Sequence, residues 1–79
     1  MGVPKTGNVG PAVRQLRRQR GLSQRELAEA AGVSKSTVTL LEADKGNTTL
    51  ESLLKIADAL EAEVVLTPAP SVILRREPL

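Results

Sequence analysis

Residues 23–46 read SQRELAEAAGVSKSTVTLLEADKG, and this stretch decides the fold. Ser23 followed three positions later by Glu26 is a capping box, in which hydroxyl and carboxylate each satisfy an orphan backbone N–H at a helix start. The helix it opens carries Leu27, Ala28 and Ala31 as its apolar positions. It is short, because Gly32 arrives within about two turns and can take the positive φ at which a chain reverses. Val33 precedes Ser34, a second N-cap candidate. Val38 and Leu41 mark the buried stripe of the next helix, which ends near the turn signal Asp44-Lys45-Gly46-Asn47. Ala28 is small where the two helices would cross closely.

Outward from this pair, the N-terminal flank reads as one more helix. Pro11 suits a first turn, Val13 and Leu16 give an apolar face, and Arg14, Arg17, Arg18 and Arg20 surround it. Gly21 can end that helix in the left-handed conformation. Residues 1–10 (MGVPKTGNVG) read as a flexible arm. On the other flank, Thr48 or Thr49 caps a fourth helix whose Leu50, Leu53, Leu54, Ala57 and Leu60 follow an amphipathic spacing. Residues 63–67 (EVVLT) change period and read as a strand, closed by Pro68 and Pro70. The expected organisation is an arm at 1–10, a helical domain at 11–61, a strand segment at 62–68 that serves dimerisation, and a tail at 69–79. The fold class is all-α with a short C-terminal β-strand.

Composition removes several function classes. The 79 residues include no Cys and no His, so the usual zinc and haem sites and a thiol–imidazole pair are unavailable; no cofactor and no enzyme are expected. Without any Phe, Trp or Tyr, the aromatic stacking used on single-stranded nucleic acid is missing as well. Charge is uneven. Residues 1–45 hold eight cationic and four anionic side chains, a net +4, whereas residues 46–79 hold three and five, a net −2. The N-terminal half suits a polyanion. No apolar run reaches the roughly 18 residues of a membrane span and no signal-peptide core follows Met1, so a cytoplasmic, nucleoid-associated location is expected.

Two helices joined by a short glycine-containing turn form a helix-turn-helix. Its second helix presents Ser34, Lys35, Ser36, Thr37 and Thr39 outward, polar side chains near a helix N-terminus that reach base edges and phosphates. Arg14, Arg17, Arg18 and Lys45 are candidates for phosphate contact. The matching positions Leu22-Ser23-Gln24, Leu27-Ala28, Gly32-Val33-Ser34, Val38, Glu42 and the run from Leu53 to Leu60 resemble the Xre/phage-repressor helix-turn-helix family. The resemblance implies a lambda-repressor-like bundle of four helices on duplex DNA, with Gln24 on the DNA backbone and Ser34 to Thr39 at the bases. Where most members continue into a fifth helix, this chain runs Glu61-Ala62-Glu63-Val64-Val65-Leu66-Thr67-Pro68. That ending, with Asn47-Thr48-Thr49-Leu50 and Lys55-Ile56, resembles the HipB-type antitoxins. It implies a homodimer that represses its own operon at an inverted-repeat operator and binds a HipA-like, kinase-like toxin. A stand-alone regulator and a protein-interaction module on the same fold are the alternatives.

The strand supplies its own argument for a dimer. A lone strand leaves backbone groups unpaired, and its natural partner is the same segment of a second copy about a twofold axis. Val64, Val65 and Leu66 would then meet their mates, with Val64 and Leu66 on one face. The competing arrangement is a hairpin within the chain between 63–67 and 72–74, turning at Pro68–Ser71.

Overall fold

The computed structural model describes residues 9–46, 48–66 and 72–76. Four helices precede two strands: α1 (Val9–Gln19), α2 (Gln24–Ala31), α3 (Lys35–Glu42), α4 (Leu50–Ala59), β1 (Ala62–Leu66) and β2 (Val72–Arg76). The helix starts follow local chemistry. The Ser23 hydroxyl accepts from the Glu26 N–H while the Glu26 carboxylate accepts from the Ser23 N–H, closing the capping box. Ser34 caps α3 by accepting from Thr37 N–H, and Thr49 caps α4 by accepting from Ser52 N–H. Gly32 ends α2 at φ 71°, and its N–H and that of Val33 return to the last carbonyls of the helix.

The core is one aliphatic cluster. Val13 from α1, Leu27 and Ala28 from α2, Val38 and Leu41 from α3, and Leu53, Ile56 and Leu60 in and beside α4 are all buried. Leu50 and Leu54, expected on the apolar face of α4, are instead about half exposed, so the buried stripe is narrower than the leucine spacing suggests.

Two departures from the sequence reading lie at the ends. The first helix begins at Val9, not Pro11, and both Val9 and Gly10 are buried. The expected arm therefore loses its last two residues to the core, and the remainder of it lies outside the described residues. Gly10 is there for lack of a side chain. A Cβ on it would stand 2.5 Å from the Leu41 carbonyl oxygen and 2.8 Å from that of Glu42. Its N–H donates to Asp44 Oδ1 at 3.1 Å, so a carboxylate sits at the positive end of α1.

The second departure concerns the strand's partner. β1 pairs antiparallel with β2 of the same chain, with Ala62 opposite Arg76, Val64 opposite Leu74 and Leu66 opposite Val72. Residues 72–76 are thus a strand rather than part of a tail, and β1 already has a partner without a second copy. The hairpin wins because it has a core to cover. β1 packs on α4 and β2 on α1, with Ala62 and Leu74 buried and Val64 packed partly against them. On the opposite face Arg75 pairs with Glu63. The expected turn residues between the strands lie outside the described residues. A helix-to-strand switch is made by Glu61, whose φ of 54° breaks α4. Arg20 reaches over from α1 to donate to the Leu60 carbonyl at 3.0 Å and to the Glu61 carboxylate at 2.7 Å.

Leu74 is the hairpin's anchor. Leu74→Ala is expected to destabilise the protein by about 2 kcal/mol, the low end for a buried leucine. A fall in Tm of roughly 8–16 °C in thermal denaturation followed by circular dichroism corresponds to this loss. An unchanged Tm would mean that the hairpin does not close the core.

Candidate nucleic-acid interface

The site is built on α3. Its Val38 and Leu41 are buried, and they fix which face points away. Counting 100° per residue from Val38, Lys35, Thr39, Ser36 and Leu40 follow at about 60°, 100°, 160° and 200°, away from the buried stripe, and Thr37 lies beside Leu41. Lys35, Ser36, Thr39 and Leu40 line one shallow depression. The polar residues expected at this surface are therefore grouped on it, but they are not equivalent. Ser34 and Thr37 are engaged with each other: the two hydroxyl oxygens are 2.9 Å apart, and the Ser34 oxygen also takes the Thr37 N–H. They hold the N-terminus of α3. Lys35 and Ser36 are exposed at its first turn.

Beneath this surface runs a connected polar network. Glu42, at the end of α3, is buried, the one acidic group so placed among the described residues. Arg17 of α1 grips its carboxylate with two parallel bonds, Nε to Oε2 at 2.6 Å and Nη2 to Oε1 at 2.9 Å. The remaining Arg17 nitrogen, Nη1, donates to the Leu22 carbonyl at 2.9 Å. Gln24 Nε2 donates to Glu42 Oε1 at 3.2 Å, and Gln24 Oε1 accepts from the Thr39 hydroxyl at 2.8 Å. Gln24 is thus held at both ends, at the first position of α2, beside the outward face of α3. Arg14 stands 3.8 Å from the same carboxylate and is half exposed. Arg14 and Arg18 share a shallow groove along α1 with Pro11, Gln15 and Gln19. Lys45 follows α3 in an exposed turn.

Burial alone would raise the Glu42 pKa, but hydrogen bonds from Arg17 and Gln24 and the charges of Arg17 and Arg14 outweigh it and leave it below the usual carboxylate range. The same pair holds the Arg17 guanidinium proton more firmly than in water.

Set against the sequence reading, the structure brings Gln24, Lys35, Ser36, Thr37 and Thr39 together and places Arg14 next to their supporting network. Arg17 is not available to a phosphate, because its fork is taken by Glu42. Leu40 and the orienting role of Glu42 were not identified from sequence. A signal existed for each. Leu40 is an apolar residue that falls off the Val38–Leu41 stripe, and Glu42 is an acidic residue that falls on it.

The helix-turn-helix family HTH_3 matches residues 13–65. The chain belongs to this family. It is 36% identical over 58 residues to the antitoxin HipB of Escherichia coli K12, an alignment covering 73% of this chain and 66% of that protein. The chain spans less than two thirds of the length of each curated relative it matches. The restriction-modification controller protein C.AhdI from Aeromonas hydrophila superposes with a TM-score of 0.68 at 38% identity, covering 73% of this chain and 88% of that one. A chain in a HipA-HipB-O2-O3 complex superposes with a TM-score of 0.70 at 29% identity, covering 87% of this chain and 97% of that one.

Removing the Glu42 charge tests the network. Glu42→Gln leaves the Arg17 guanidinium facing a neutral amide in a mostly buried place, and a loss of about 3 kcal/mol in urea unfolding is expected. The pH dependence has a definite sign. A carboxylate with a lowered pKa stabilises the fold above its unfolded pKa of about 4.3 and loses that contribution as pH falls through the folded value. Wild type is therefore expected to weaken below about pH 4.3 more steeply than the glutamine variant. Parallel acid titrations would remove Glu42 from that role.

Proposed function

We propose that this chain is a sequence-specific DNA-binding transcriptional repressor that places α3 in the major groove of duplex DNA. The observation that carries this reading is the outward face of α3, where Lys35, Ser36 and Thr39 share one surface while Gln24 is clamped beside it by Glu42 and Thr39. Base contact is assigned to Lys35, Ser36 and Thr39, with Ser34 and Thr37 presenting the N-terminus of α3. Gln24, Arg14, Arg18 and Lys45 are assigned to phosphates, which position the protein without specifying sequence. The positive ends of α2 and α3 favour phosphate for the same reason.

In this reading the protein acts as a homodimer on an inverted-repeat operator. A two-stranded sheet leaves a free edge on each strand, and a second copy added along β1, at Val64, Val65 and Leu66, would extend it to four strands. The protein is further proposed to be the antitoxin of a pair, binding a HipA-like kinase toxin in the cytoplasm and autoregulating its operon. The hairpin after α4 and the near-complete coverage of the chain from the HipA-HipB complex support that choice. The likeness to C.AhdI supports a second reading, a stand-alone controller without a toxin.

Footprinting and titration test the first part. The protein is expected to protect two half-sites whose centres lie about 34 Å apart, one turn of B-DNA. A dimer neutralising roughly 6–10 phosphates should lose about 10³–10⁵ in affinity between 50 and 200 mM salt. A flat salt response, or one protected half-site under a monomer, would remove this function. Lys35→Ala is expected to change the preferred base at one position, by about 1–3 kcal/mol. Copurification with the product of an adjacent reading frame separates antitoxin from stand-alone regulator.

A further inference from the structure

Leu40 is 45% exposed and lines the same depression as Lys35, Ser36 and Thr39, at one edge of the surface assigned to DNA. It lies about 200° round α3 from the buried Val38 and about 100° from the buried Leu41, which leaves it partly open to the outside. The turn that follows α3 returns past it: Lys45 N–H donates to the Leu40 carbonyl at 2.8 Å, and a Cβ on Gly46 would stand 3.5 Å from Leu40 Cδ1. Gly46 has a φ of 74° and no side chain, so the turn passes beside the leucine without covering it. The result is a partly exposed apolar side chain beside Lys35, Ser36 and Thr39.

A polar and cationic surface with one apolar point matches one feature of the major groove. Every base pair there presents hydrogen-bond donors and acceptors, and the C5-methyl group of thymine is the apolar exception. We propose that Leu40 is a specificity-determining residue that reads the C5-methyl group of a thymine in each half-site. This rests on the DNA-binding reading above. Contact is by apolar burial alone, so the selectivity is for the methyl group and not for a hydrogen-bonding pattern. Leu50 and Leu54, the other large exposed apolar residues among those described, lie on α4 and take no part in this surface.

The test deletes the methyl and nothing else. Wild-type protein is used to select its preferred duplex from a randomised pool, and each thymine of the selected site is then replaced singly by deoxyuridine. One thymine per half-site is expected to show about a fourfold loss of wild-type affinity, the effect of failing to bury one carbon. With Leu40→Ala that loss disappears: thymine and uracil duplexes bind alike there, and the salt slope matches wild type. Leu40→Met, which keeps an apolar side chain, is expected to retain part of the methyl preference. Circular dichroism confirms that the variants fold. A selected site without thymine, a flat uracil scan, or a methyl effect that persists in Leu40→Ala would overturn the role of Leu40 while leaving DNA binding intact. A lowered oligomeric state in Leu40→Ala with the uracil effect unchanged would assign Leu40 to a protein contact instead. Failure to select any duplex would overturn DNA binding itself, and the inference with it.

Discussion

Everything in this fold leans on one buried ion pair. Arg17 and Glu42 join the first helix to the end of the third, and the remaining guanidinium nitrogen secures the loop that leads into the second. Helices of eight residues have little stability of their own, because helix nucleation consumes much of what so few hydrogen bonds return. A small aliphatic core can hold such helices together without setting their mutual rotation tightly. A planar fork on a carboxylate can set it, since both bonds fail if either helix turns. The carboxylate then does a second job. It takes the Gln24 amide, which in turn takes the Thr39 hydroxyl, so the rotation of α3 against α2 is read out at the surface.

The ends of the helices are settled by short polar side chains rather than by the core. Ser23, Ser34 and Thr49 each accept a backbone N–H in the first turn they open. Asp44 does the same from a distance, as the acceptor for Gly10. Its left-handed φ of 56° is a conformation that aspartate tolerates better than most residues. The turn after α3 therefore serves three neighbours at once: the start of α1, the carbonyl of Leu40 and the approach to α4.

The parts legible in the sequence were those written in local chemistry. The capping box, the Gly32 reversal, the Ser34 cap and the Val38–Leu41 stripe all depend on residues within a few positions of one another. What escaped depends on pairs far apart in the chain. Gly10 reads as an arm residue until α3 is seen to end against it, 31 positions or more downstream. A second copy competed with a hairpin to 72–74 because two strands that short are marginal alone, and the packing of β1 on α4 and of β2 on α1 decides for the hairpin. Arg17 is indistinguishable from Arg14 and Arg18 by sequence, and the 25-residue separation from Glu42 is bridged only in three dimensions.

The division of labour on α3 has a consequence for how such a protein diverges. Thr39 is tied through Gln24 to the same carboxylate that orients the bundle, so a change there is felt by the scaffold. Ser36 and Leu40 are exposed and their side chains sit outside that chain of bonds. On the proposed DNA-binding reading, gene duplicates can drift at these two positions with less cost to the scaffold than at Thr39, and two copies in one cell can part company in what they recognise before either loses its fold. On that reading, positions 36 and 40 are the natural handles for building orthogonal variants on this backbone.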